Sequence, residues 1–157
     1  MNLYLFAKYI HLIGIVMMLG ATFCNGLIHL NAMKDKSIKG KLVSLSNILT
    51  INRLIMIPGF ILLISAGFSL VYQLKLPLIN IDWLVSSIIL TTVLVIEFIW
   101  GYLLEQKLEK LTNGFQNNDC EEYRKGYKSI LSIAIPIGST ATMISLLVMF
   151  LMITKPY

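Results

Sequence analysis

The sequence predicts an all-α fold: a polytopic membrane protein built as a four-transmembrane-helix bundle, with a cytoplasmic helical hairpin between helices three and four. Three observations carry this. Of 157 residues, 57% are hydrophobic and only 13% are charged, against about 25% charged in a soluble domain. The mean hydropathy is +0.78, and the apolar residues come in blocks long enough to cross a bilayer. Ten of the thirteen basic residues then fall on one side of those blocks. A soluble enzyme, a nucleic-acid binder and a disordered chain are excluded together. The net charge of +5 is an orientation signal and implies no nucleic-acid partner.

Uncharged stretches occupy 9–33, 54–74 and 129–154, and 83–104 is as long with one acid, Glu97. Each reaches the ~20 residues a spanning helix needs. Helices are expected over about 3–31, 43–74, 83–111 and 121–153, in one domain covering 1–157. The first starts near Leu3. A cleavable signal peptide is disfavoured there: the first base is Lys8, the apolar run after it is long, and Phe23 sits just before Cys24. In the second helix Pro58-Gly59, and in the fourth Pro136 with Gly138, are expected to bend or loosen the chain. Gly14, Gly20 and Gly26, with Ser86, Ser87, Thr91 and Thr92, suit close helix contact. Past the third span, Leu103, Leu104, Leu108 and Leu111 continue a helical stripe, and Asn113-Gly114 supplies a stop. Asp119 with Glu122 has the cap-and-third-position spacing of a new helix. Cys24, in an apolar run, and Cys120, in a polar loop, are not expected to pair.

The basic residues orient the bundle. Lys34, Lys36, Lys39 and Lys41 lie in the first loop with Arg53 nearby, and Lys107, Lys110, Arg124, Lys125 and Lys128 lie in or beside the third. The other side holds Lys8, Lys75 and Lys155. Loops one and three are therefore expected in the cytoplasm and both termini outside, in the cell (inner) membrane.

Few polar groups fall inside the spans, so each is a candidate for function. His11 and His29 are 18 residues apart, five turns, and share one face of the first helix. Met18, Thr22 and Asn25 lie along that face, giving an inward polar stripe. The two histidines are about 27 Å apart along the axis, too far to grip one metal or one haem. A His–Met site remains open, because Met149 and Met152 lie near the outer end of helix four, level with His11. The alternative is a structural histidine at each interface, hydrogen-bonded to backbone or headgroups, and His29 is read that way. Glu97 lies well inside its span and must be neutralised by a proton or a cation. Arg53 is the first expected partner and His29 the second. Such a carboxylate serves as a proton carrier, as a clamp on a polar ligand, or as half of an interhelical ion pair. The eight methionines would suit Cu(I), yet no His- or Met-rich outer loop accompanies them.

The segment Leu5-Phe6-Ala7-Lys8-Tyr9-Ile10-His11-Leu12-Ile13-Gly14 resembles the opening of small membrane proteins of the HemJ and CopD type. Asn52-Arg53-Leu54-Ile55-Met56-Ile57-Pro58-Gly59, followed by Ala66-Gly67, is similar to the Arg…Pro…Gly pattern of HemJ-type protoporphyrinogen oxidases, and Asp82-Trp83 opens helix three as a tryptophan does there. Over the whole chain, Trp100-Gly101-Tyr102 to Gln106-Lys107-Leu108 and the tail Met152-Ile153-Thr154-Lys155-Pro156 resemble an uncharacterised family of four-helix predicted integral membrane proteins. The HemJ resemblance implies a haem ligand at His11 and a lysine soon after the tryptophan. Ser86 and Ser87 stand in that neighbourhood instead, and no lysine occurs between Lys75 and Lys107. Three functions stay open: a haem-b-binding protein with a redox or assembly role, using His11 with Met149 or Met152; a non-catalytic bundle that binds another membrane protein or a second copy of itself; and a small transporter or metal permease.

Overall fold

The computed structural model describes residues 2–75, 81–115 and 121–154, and they form four long helices. These are α1 (Leu3–Lys34), α2 (Ile38–Gln73), α3 (Asp82–Gly114) and α4 (Glu121–Thr154). At 32 to 36 residues they are roughly 48–54 Å long, against a hydrocarbon core of about 30 Å. Each therefore carries turns beyond the lipid. Among the described residues there is no strand.

The turn between α1 and α2 is shorter than hydropathy suggests. Helix α1 runs to Lys34 rather than residue 31, and α2 begins at Ile38 rather than 43. Polar residues at helix ends are invisible to an apolar-run criterion, and local capping decides the boundary instead. Asp35 Oδ1 accepts from the Ser37 backbone N–H at 2.8 Å, and the Ser37 hydroxyl oxygen accepts from the Gly40 N–H. These bonds satisfy donors that α2 would otherwise leave unpaired.

The expected distortion at Pro58 is a π-turn. Residues Asn52–Met56 widen the helix just before the proline, and the Ile57 N–H bonds to the Asn52 carbonyl, five residues back. Pro58 has no N–H to give to the preceding turn and its ring crowds that turn; a widened turn accommodates both. Pro136 lies inside α4, which continues through it.

Helices α1 and α2 form one hairpin and α3 and α4 another. Within the first, the backbones touch: a Cβ added at Gly14 would lie 2.6 Å from Leu63 N and 2.9 Å from the Gly59 carbonyl. Only glycine permits that approach. Gly20 and Gly26, expected to serve the same purpose, face open space, with nothing within 4 Å of an added Cβ. The two hairpins join where the first half of α2 packs on α3, whereas α1 and α4 meet sparsely.

Two apolar clusters result. Met18, Phe60, Leu63 and Leu94 pack in the middle of the bundle. Leu45, Leu108, Tyr123, Tyr127, Ile130 and Leu131 pack near the end that holds the α1–α2 turn, called here the loop end. The stripe past the third span is inward at Leu108, partly buried at Leu104 and Leu111, and outward at Leu103. Asp119 and Cys120 lie outside the described residues. The remaining large apolar side chains, such as Val16, Ile61 and Phe150, face outward, where lipid tails solvate them.

Candidate functional site

Helix α1 turns its predicted polar stripe inward. His11, Met18 and Asn25 are buried, and Thr22 and His29 are partly buried. The stripe serves two different places.

Toward the terminal end, His11 reaches across to α2. Its Nδ1 lies 2.8 Å from the Leu63 carbonyl oxygen. A carbonyl only accepts, so Nδ1 carries the hydrogen and Nε2 keeps its lone pair. Gly67 makes room for the ring, since an added Cβ would lie 3.3 Å from Cε1. His11, Met149 and Met152 line one cavity, as their levels suggested, together with Ser145 and Thr91. Its volume is about 20 Å³, space for about one water. The donors a haem iron needs are gathered, with the imidazole held through its second nitrogen as ligating histidines are. The packed helices leave no room for the macrocycle.

Toward the loop end, side chains bond to one another. Asn25 Nδ2 donates to Asn52 Oδ1 at 2.7 Å, and Asn52 Nδ2 donates to Glu105 Oε2 at 2.5 Å. The other oxygen of Glu105, Oε1, lies 3.4 Å from His29 Nε2. Three helices are thus tied by one polar chain. Its direction follows from the carboxylate, which accepts: Asn52 must turn its amide nitrogen toward Glu105 and its oxygen toward Asn25, and Asn25 must then donate.

This arrangement corrects the expected pairing of Glu97. Neither Arg53 nor His29 meets it. Glu97 Oε1 accepts from the Thr140 hydroxyl at 3.0 Å, Arg53 Nε donates to the Tyr102 hydroxyl at 2.8 Å, and His29 goes to Glu105. Consecutive residues on a helix point about 100° apart. Asn52, 2% exposed, takes the inward place, and Arg53 faces out, where a long side chain can carry its charge toward the membrane surface.

Between the hairpins these groups line a cavity of about 520 Å³. Asn25, His29, Glu97, Tyr102 and Glu105 supply its polar wall, and side chains such as Met18, Phe60 and Leu131 the apolar one. No Lys or Arg lines it among the described residues. Three buried polar atoms have no hydrogen-bond partner here: Asn25 Oδ1, His29 Nδ1 and Glu97 Oε2. No cluster of three or more His, Cys, Asp or Glu is placed to hold a metal among the described residues.

Asn52 and Glu105 are not among the residues singled out from sequence. Glu105 falls inside the helix expected over 83–111 but past the apolar run 83–104, where a charge is unremarkable. It stands eight residues from Glu97, about 80° around the helix, so both acids can border one wide cavity. A second acid on the same helix was the available signal.

Four apolar spans around a largely apolar cavity with one polar wall define the class: a multi-pass integral membrane protein. Over residues 5–156 the chain matches a family described as predicted integral membrane protein (DUF2269), and it belongs to that family. No curated protein and no solved structure matches it.

Proposed function

We propose that the protein binds a small molecule within the bilayer, in the cavity between the two hairpins. Of the functions the sequence leaves open, this lies nearest to the small transporter. The observation that supports it is a cavity of about 520 Å³, within the 300–1,000 Å³ typical of small-molecule sites, lined by Asn25, His29 and Glu97, each of which keeps one buried polar atom without a partner. Natural proteins satisfy such atoms, and each one left alone calls for an explanation. The sparse contact between α1 and α4 gives a way in from the lipid. Gly138 lines the cavity and has open space at its Cβ, so Gly138→Phe should place a ring in it and obstruct it without moving backbone. Photolysis of a neutral diazirine-bearing octanol in phosphatidylcholine nanodiscs should place adducts on the cavity walls of α1 and α4, and Gly138→Phe should prevent them. Labelling spread evenly over lipid-facing residues would overturn the proposal.

The charge bias supports a placement in the cell inner membrane with loops one and three cytoplasmic and both termini outside. With Cys24 replaced by Ser, Cys120 should react with a membrane-impermeant maleimide only after the inner membrane is opened. Reaction in cells permeabilised at the outer membrane alone would reverse the orientation.

A second reading, haem b on His11 with Met149 or Met152, is favoured by the Nδ1 bond to the Leu63 carbonyl, which leaves Nε2 available for iron. Haem would supply one-electron chemistry when bound. Seating it requires the hairpins to part beside His11. Protein purified from haem-replete cells should then show a Soret band that His11→Ala removes or shifts and His29→Ala leaves unchanged; a colourless protein would exclude this reading.

A further inference from the structure

We propose that the cavity between the hairpins takes an organic cation, an apolar body bearing N–H groups that sit on Glu97, Asn25 and His29. This rests on the ligand-binding reading above and adds the class of ligand.

The three unpartnered atoms share one property. Asn25 is 8% exposed and donates from its amide nitrogen to Asn52, so the polar atom it leaves without a partner is an oxygen, Oδ1. His29 presents Nε2 to a carboxylate, which accepts only; Nε2 therefore carries the hydrogen and the bare Nδ1 of the neutral ring is an acceptor. Glu97 has one oxygen on Thr140 and the other, Oε2, bare. With Glu97 ionised and His29 neutral, these three atoms ask for donors and offer none.

Charge points the same way. Glu97 and Glu105 both line the cavity, and no Lys or Arg does among the described residues. The one arginine expected to neutralise Glu97 faces away and bonds Tyr102. A carboxylate inside the membrane is held only when a proton or a cation meets it. An anion would face two carboxyl groups with no Lys or Arg beside them among the described residues. A bare inorganic ion would leave most of the apolar wall uncovered, because 520 Å³ holds a body of several rings or a branched chain. An organic ammonium satisfies both walls: N–H groups on the acceptors, carbon against Met18, Phe60 and Leu131.

The test uses full-length protein in phosphatidylcholine nanodiscs, whose zwitterionic lipid does not itself concentrate cations. The probes are 9-aminoacridine, a three-ring cation with N–H groups, and 9-anthracenecarboxylate, an anion of the same ring size. Fluorescence titration against empty nanodiscs should show saturable binding of the amine, one per chain, and none of the carboxylate. Glu97→Gln should weaken amine binding by about tenfold or more, the worth of one charge-assisted hydrogen bond. Glu97→Asp should restore most of it, and Gly138→Phe should abolish it. Equal binding of the two probes, or an affinity unmoved by Glu97→Gln, overturns the cation class. If Glu97→Gln fails to fold, the ratio of amine to carboxylate on the parent chain decides. Diazirine-octanol adducts that persist while the amine fails to bind overturn the ligand class and leave the cavity reading standing; absence of both overturns the two together.

Discussion

The two ends of the bundle handle buried polarity in opposite ways. Near the terminal end, α1 and α2 touch through Gly14 and Gly59, the cavity holds about 20 Å³, and the buried imidazole of His11 is tied to a backbone carbonyl. Near the loop end no glycine among the described residues brings the backbones of α1 and α2 into contact, the cavity holds about 520 Å³, and polar side chains must find one another across the gap. Close backbone contact leaves room for one polar group with a partner already in place. Separation requires long side chains, and some of their atoms then stay bare. Inter-helix distance, set by single glycines, decides which end is packing and which end is site.

The most severe way to break this contrast is Gly14→Leu. Its Cβ would meet Leu63 N and the Gly59 carbonyl, both backbone, so the helices must part. A loss of about 1–3 kcal/mol or more is expected, read as a lower midpoint of thermal unfolding in detergent. Gly20→Leu, into open space, should stay within about 0.5 kcal/mol of the parent. Equal losses at both positions would dissolve the distinction between the two ends.

Next comes Asn52→Leu, which strips partners from Asn25 and Glu105 at once. A cost of about 1–3 kcal/mol is expected for the orphaned groups. Removing Asn52 and Glu105 together should cost less than the sum of the single losses, since both belong to one chain of bonds. Strict additivity would mean that the chain does not hold in the membrane.

His11→Ala should cost less, about 0.5–1.5 kcal/mol for one net hydrogen bond plus a small cavity, and should leave amine binding at the loop end unchanged. A change there would mean that the two cavities communicate through Met18, Phe60, Leu94 and Ser145, which line both.

Smallest of all is the coupling between Glu97 and Arg53. Because the two bond to Thr140 and Tyr102 respectively, Glu97→Gln and Arg53→Ala should add within about 0.3–0.5 kcal/mol. A larger interaction energy in that double-mutant cycle would restore the ion pair.

Much of this was legible in the sequence for a plain reason: in a bilayer the solvent is uniform, so apolar runs alone mark four spans, and 3.6-residue periodicity marks the inward face of α1. His11, Asn25 and His29 fall where that stripe puts them. Partners were less legible. Sequence separation says nothing about which of two adjacent residues turns inward, and charge made Arg53 conspicuous where Asn52 does the bonding. Glu105 went unmarked because only polar groups inside the apolar run 83–104 were weighed, and it lies one residue beyond that run on the same helix. Helix ends were missed by a few residues because Ser37 and Asp35, not hydropathy, set the turn.

The widened turn at Asn52–Met56 gives α2 two phases. Seven residues separate Asn52 from Gly59, and in a uniform helix that spacing would stack them within about 20° on one face. Both would then look at α1. The wide turn acts as a one-residue offset between the halves, so Gly59 meets α1 while Asn52 swings toward the space shared by α1 and α3 and reaches Asn25 and Glu105 together. The length of this segment therefore matters more than its chemistry. Substitutions among Leu54, Ile55 and Met56 that keep it apolar leave the phase alone, while deletion of any one of them would bring the halves into register and take Asn52 off Glu105 without altering a single polar residue.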